Sequence, residues 1–261
     1  MPTDASSFDD LRVPATVSVW LGEPGGAPTY TQAAERVHYA ASTLKLPLLV
    51  AAHRRHERGE LDLDTEVAVH NEHRSAYDGS PFALDQGDDQ DDETWALVGS
   101  TATLRDLARH AIVKSGNLAT NLLLEHVGTA EVAAVLRDAG CSPATVLPRG
   151  IGDLAARDAR LDNLVTAADL ARLIGTVTPD VERVLAAQEH RDQIPAGLPE
   201  GTYVANKTGW VDGVAHDVAL VRPEHHPAYV LVVCHTADQD EESLYAANVA
   251  VSAAVWERWT A

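Results

Sequence analysis

Apolar and polar residues alternate through Ala15-Thr16-Val17-Ser18-Val19-Trp20-Leu21, the period of a strand, and Gly22-Glu23-Pro24-Gly25-Gly26 turns the chain into a second strand near residues 28–32. From Ser42 the period lengthens to that of a helix. It runs to about Arg58 and stops at Gly59, with Pro47 early enough to disturb only the first turns. Residues 61–64 alternate briefly, residues 70–93 turn polar, and the acidic stretch 85–93 reads as a solvated, mobile loop without chemistry. Trp95, just beyond it, is suited either to packing or to walling a cleft. Thr103 caps a helix that places Leu104, Leu107, Ala108, Ala111 and Ile112 on one face. Further helices follow at about 118–127 and 130–139, closed by Gly128 and Gly140, then at 167–174 behind the cap Thr166, and at 180–189.

The strand period returns over 203–207, 214–221 and 228–234, an antiparallel meander. A last helix from about 241 to 259 carries Leu244, Ala247, Val251, Val255 and Trp259 on one stripe. This order predicts an α/β (α+β) fold: an antiparallel sheet of about five strands flanked by helices, plus an all-α lobe. Segments 1–58 and 198–261 would build the α/β lobe from both termini, and 59–197 the mainly helical lobe between them. A cleft is expected where the two meet.

A chain of 261 residues, 45% hydrophobic, is long enough to bury a full core. Its formal charge of −19 argues against nucleic acid or an anionic membrane as partner, since both need clustered basic surface. The polar segment Met1–Asp10 lacks a basic start and an apolar run, and no later run approaches spanning length, which predicts a cytoplasmic protein; a monomer is expected. Cys141 and Cys234 lack metal-ligand spacing and read as reduced thiols.

Candidate chemistry begins at Ser42-Thr43-Leu44-Lys45. On a helix the i,i+3 spacing sets Lys45 beside Ser42, and the helix N-terminus adds partial positive charge near the hydroxyl. A serine hydroxyl is a weak nucleophile until a neighbouring base takes its proton, and a lysine does so once burial and a nearby cation bring its pKa down to roughly 7–8. Lys114-Ser115-Gly116-Asn117 puts a second serine in a turn between two helices, and Asn206-Lys207-Thr208-Gly209-Trp210 ends a strand. Lys45, Lys114 and Lys207 are the only lysines, so the chain keeps its compact, tunable amines at these three places and uses arginine elsewhere.

In order and spacing, Ser42-x-x-Lys45, Ser115-Gly116-Asn117 and Lys207-Thr208-Gly209 resemble the S-x-x-K, S-D-N and K-T-G motifs of class A β-lactamases and penicillin-binding proteins. The likeness extends from about residue 15 to the C-terminus and includes Gly59–Asp64 and His216–Val221. It implies Ser42 as the nucleophile that forms an acyl-enzyme and Lys45 as its activating amine. Ser115 and Lys207 would relay a proton to the leaving nitrogen, with Lys207 also lowering the Lys45 pKa. Lys207 and Thr208 would hold a substrate carboxylate and Asn117 an acyl-chain amide. The N–H groups of Ser42 and Trp210 would form an oxyanion hole that Gly209 makes reachable. The implied partner is a small anionic substrate.

Two departures stand out. Gly116 replaces the aspartate of the middle motif, and Ile151 stands where the resemblance calls for a glutamate that activates the deacylating water. Asp153 and Asp158 are the candidate substitutes. Without a base, acylation would outrun deacylation, and the chain would act as a penicillin-binding protein, a D-Ala-D-Ala peptidase, a slow esterase or a non-hydrolytic binding module. His53-x-x-His56 and His70-x-x-His73 lie in charged stretches without cysteine partners, and no Gly-rich phosphate loop follows a strand, so neither a metal nor another cofactor is expected.

Overall fold

A five-stranded antiparallel sheet is built from the two ends of the chain: β1 Val17–Gly22, β2 Pro28–Gln32, β3 Tyr203–Val211, β4 Val214–Arg222 and β5 Tyr229–Thr236, in the order β2-β1-β5-β4-β3. The computed structural model describes residue 8 and residues 10–261; the first seven residues, on which the reading against a leader rests, lie outside it.

Successive side chains of a strand point to opposite faces, and here both faces are covered. Val17, Val19, Leu21, Leu231 and Val233 face Val251, Val255 and Trp259 of the C-terminal helix Glu241–Trp259. Trp20, Val218, Leu220, Val230 and Val232 face the other way, into a core continuous with the helical part of the chain. Helix Ala167–Ile174, capped by Thr166, packs on this inner face, so a helix from within segment 59–197 completes the sheet's cover.

Helix α1, Lys45–Glu57, runs through the middle of the molecule. The residues from Lys45 to His53, except Val50, are buried, as expected of a helix that is apolar nearly all round. Around it lie α2, Leu104–Val113, capped by Thr103, α3, Asn117–Val127, and α4, Thr129–Asp138. Gly128 and Gly140 take positive φ after α3 and α4, the conformations that make glycine the natural terminator.

The α-helix does not begin at Ser42. Residues Ala41–Leu44 form a 3-10 turn, and the α-helix starts at Lys45. In a 3-10 turn residues i and i+3 eclipse, which stacks Lys45 over Ser42 more directly than an α-helix would. Ala41 adopts φ 43°, a left-handed conformation unusual for a residue with a Cβ, immediately before the serine.

Candidate active site

Three distant stretches meet where the sheet abuts α1 and α3. Strand β3 passes so close to the Ser42 turn that a Cβ on residue 209 would stand 2.8 Å from the backbone nitrogens of both Ser42 and Thr43. Only glycine allows that approach. Ser42, Ser115, Asn117, Trp210, Ile151 and Asp88 line the resulting cleft of about 140 Å3, and Lys45 and Lys207 lie buried behind it. Sites that enclose a whole ligand usually measure roughly 300–1,000 Å3, so this cleft is small.

The two amines converge on one hydroxyl. Lys207 Nζ donates to Ser115 Oγ at 3.0 Å and to the Thr208 carbonyl at 2.7 Å. Lys45 Nζ donates to the Ser115 carbonyl at 2.5 Å, to Ser115 Oγ at 3.3 Å and to Asn117 Oδ1 at 2.9 Å. Ser115 is positioned by a left-handed backbone, φ 59°, in the three-residue link between α2 and α3. Burial brings the Lys45 pKa down to about 7, against the opposing pull of Asp89 and Asp91. Lys207 is lowered well below its ordinary range by burial and then by the charge of Lys45, with Asp217 pulling the other way. Asp217, on β4 behind Lys207, is itself raised to about 6 by burial, although it accepts hydrogen bonds from Asn206 and the Ile194 amide. Thr208 is wholly buried and its hydroxyl has no partner. Lys114 points elsewhere, into ion pairs with Glu93 and Glu189 at 3.0 Å each.

The acidic stretch 85–93, read from sequence as a loop without chemistry, is instead an ordered wall of this site. Asp89 caps α3: its carboxylate accepts the Asn117 and Leu118 amides at 2.8 Å each and the Trp95 indole N–H at 2.8 Å. Trp95 thus anchors the loop while packing against the core. Asp91 is buried, accepts from the Thr94 hydroxyl and amide, and pairs with His110 at 3.2 Å, raising the His110 pKa. A Cβ on residue 116 would meet the Asp91 carboxylate at 2.7 Å and its Cβ at 2.9 Å. Glycine at 116 and the carboxylates of the loop are therefore two halves of one arrangement. The signal was present in the sequence, as a missing aspartate in one place and a surplus of them 25 residues earlier.

Neither candidate deacylation base reaches the cleft. Asp153 is 1% exposed, with one oxygen on the Ala156 amide and the other on the Ala76 amide. Asp158 sits in an exposed ion pair with Arg157. Both are corrections to the sequence reading, and both have the same cause: the loop is folded by its own polar groups. Asn121 clamps the Ile151 backbone from both sides, at 2.8 and 2.9 Å, which leaves the Ile151 side chain in the cleft. Sequence reasoning gave no role to His216, whose Nε2 meets the Tyr39 carbonyl at 2.9 Å and ties β4 to the segment leading into Ser42.

A five-stranded sheet backed by helices, with a serine turn, a Ser-x-Asn turn and a Lys-Thr-Gly strand closing on one cleft, defines the serine β-lactamase-like class. The model of the beta-lactamase enzyme family matches residues 9–259, and the chain belongs to that family. A beta-lactamase of Citrobacter koseri is 29% identical over 172 residues, 57% of this chain and 55% of that protein. The chain thus spans about half the length of the curated relatives it matches. Among solved structures, a beta lactamase from Xanthomonas campestris pv. campestris has a TM-score of 0.78 at 22% identity, covering 98% of this chain and 96% of that one. PBP-A has a TM-score of 0.75 at 22% identity, covering 94% and 90%. These two likenesses show the fold.

Proposed function

We propose that the protein is a serine hydrolase of the β-lactamase type, acting through an acyl-Ser42 intermediate on a β-lactam or a related small amide or ester. The observation that carries this reading is the convergence of Lys45 and Lys207 on Ser115 Oγ beside the Ser42 turn. Neutral Lys45 takes the Ser42 proton as Oγ attacks the carbonyl carbon. The oxyanion forms against the Ser42 and Trp210 N–H groups, which Gly209 allows to stand together. As the C–N bond breaks, the proton passes through Ser115 Oγ to the leaving nitrogen. Lys207 and Thr208, buried just behind the cleft, would receive a substrate carboxylate, the role that the Lys-Thr-Gly motif implies. That anion would in turn restore the charge of Lys207. Asn117 faces the acyl chain.

A second reading, slow deacylation in the manner of a penicillin-binding protein, is favoured by one observation: the cleft presents Ile151 where a water-activating carboxylate would stand. A point mutant of PBP-A, whose fold this chain shares, is described as an acyl-enzyme complex with penicillin G. The charge of −19 supports small-molecule rather than nucleic-acid partners, and no described helix is long and apolar enough to cross a membrane.

Intact-mass measurement after mixing with penicillin G tests both readings. A transient adduct with hydrolysed product marks the hydrolase, and a persistent adduct marks the slow form. No adduct with penicillins or activated esters leaves only a binding module and overturns acyl-serine chemistry. Ser42→Ala should abolish labelling with an unchanged melting temperature, and labelling that survives it refutes the nucleophile.

A further inference from the structure

Away from the cleft, two imidazoles are aimed at one carboxylate. His73 Nδ1 lies 2.6 Å from Glu125 Oε1, and His70 Nε2 lies 3.3 Å from Glu125 Oε2. The three donor atoms are all within 4.8 Å of one another. They come from two separate parts of the chain: the extended segment before and within the short strand His73–Arg74, and the last turn of α3. His73 is buried against Phe82, their ring centroids 5.4 Å apart, which fixes its orientation. His70 and Glu125 remain partly open to solvent, 41% and 37% exposed at the side chain, and give an ion a way in.

We propose that His70, His73 and Glu125 form a binding site for a divalent transition-metal ion of the zinc type. Two neutral imidazoles and one carboxylate are a donor set that suits zinc, with metal–ligand distances of about 2.0–2.2 Å, and three protein ligands leave a fourth position open. His73 and Glu125 line a cavity of about 300 Å3 together with Glu72. Two guanidinium groups line the same cavity: Arg74 donates to the Gly79 carbonyl at 3.5 Å, and Arg149 donates to the carbonyls of Leu161 and Gly150 while its Nη2 lies 3.8 Å from Asp162. A protein of charge −19 further favours a bound cation.

The ion would tie the segment at 70–73 to α3, the helix whose first residue, Asn117, lines the cleft. Eight residues separate Asn117 from Glu125, about 12 Å along a helix, so the ion would brace the site without touching substrate.

The full chain, stripped of metal by chelator and dialysed, is titrated with Zn2+ and with Co2+. The expected result is one equivalent bound at low micromolar or tighter affinity, with visible Co2+ absorption and a melting temperature raised by about 5–10 °C at a hundredfold excess over Kd. Glu125→Gln and His70→Ala, both at partly exposed positions, should each weaken binding at least tenfold and abolish the Co2+ spectrum. Replacing the exposed pair His225 and His226 by alanine should leave both readouts intact. No stoichiometric binding would mean that the three groups form only an ion pair. An equivalent that survives Glu125→Gln and His70→Ala would belong to another cluster. Either result overturns the site.

Discussion

Lys45 titrates near neutrality because burial outweighs two negative charges that face it, Asp89 and Asp91. In the proposed mechanism it must be neutral to accept the Ser42 proton, so the rate of acylation by penicillin should rise with pH through about 7 and then level off. Removing one of the opposing charges lowers the pKa further. Asp89→Asn should therefore move the rising limb of the acylation profile to lower pH, while costing about 1 kcal/mol through the weakened cap on α3. A profile that does not move, followed by stopped-flow acylation across pH 5–9, would show that Asp89 acts on the fold alone. In the proposed mechanism, Ile151 stands where the second half of the reaction needs a base. Ile151→Glu places a carboxylate in the cleft next to the acyl ester, and a positioned base contributes typically ~10²–10⁴-fold. Deacylation, read as decay of the adduct by intact mass, should accelerate within that range if the wild type is the slow form. An unchanged decay would mean that the water is activated from elsewhere.

At the scale of elements, the site depends on two backbone approaches that have no tolerance for a side chain. Strand β3 meets the Ser42 turn at Gly209, and the acidic loop meets the start of α3 at Gly116. Gly116→Asp should destabilise the protein by about 1–3 kcal/mol through overpacking against Asp91, and Gly116→Asp with Asp91→Gly should recover part of that loss. Additive losses in urea melts of the single and double variants would refute the coupling. The elements themselves were legible because their signals are local: alternation in β1, the caps Thr103 and Thr166, glycines at 128 and 140. The motif serines and lysines were legible through spacing. What escaped was set by contacts between distant segments. The 3-10 turn at Ser42 answers to β3 pressing on it, and the order of the loop at 85–93 comes from amides at the start of α3 and from the Trp95 indole. An aspartate run reads as solvated until the orphan amides that it caps are brought to it. Asp153 misled for the same reason, since its partners at Ala76 and Ala156 made it a structural brace.

Across the whole molecule, the junction between the sheet and the segment before Ser42 is built on histidines that must stay neutral. His38 bonds Ser18 and Thr236 through its two ring nitrogens, stands edge-on to His216 and is held down to about 3, chiefly by burial. His216 is held down to about 4 by burial, and His235, whose amide donates to the His216 ring, is also lowered by burial. A histidine whose folded pKa lies below its ordinary value of 6.5 contributes stability that is present above 6.5 and is lost as pH falls towards the folded value. Between 6.5 and about 4 the unfolded chain binds these protons and the native one refuses them, at up to about 1.4 kcal/mol per pH unit for each ring. Asp217 works the other way: raised to about 6, it takes a proton in the native state first and gives back some stability as pH falls from there towards 3.8. His53 and Lys207, both lowered by burial, add to the loss, and His110, raised by Asp91, joins Asp217 in offsetting part of it, so the buried cations leave a net loss. Unfolding free energy from urea melts should therefore be clearly lower at pH 5 than at pH 7.5. His216→Gln keeps a donor for the Tyr39 carbonyl without titrating in this range, and should flatten that dependence. Equal stability at the two pH values, or the same slope in His216→Gln, would show that the histidines do not hold this junction.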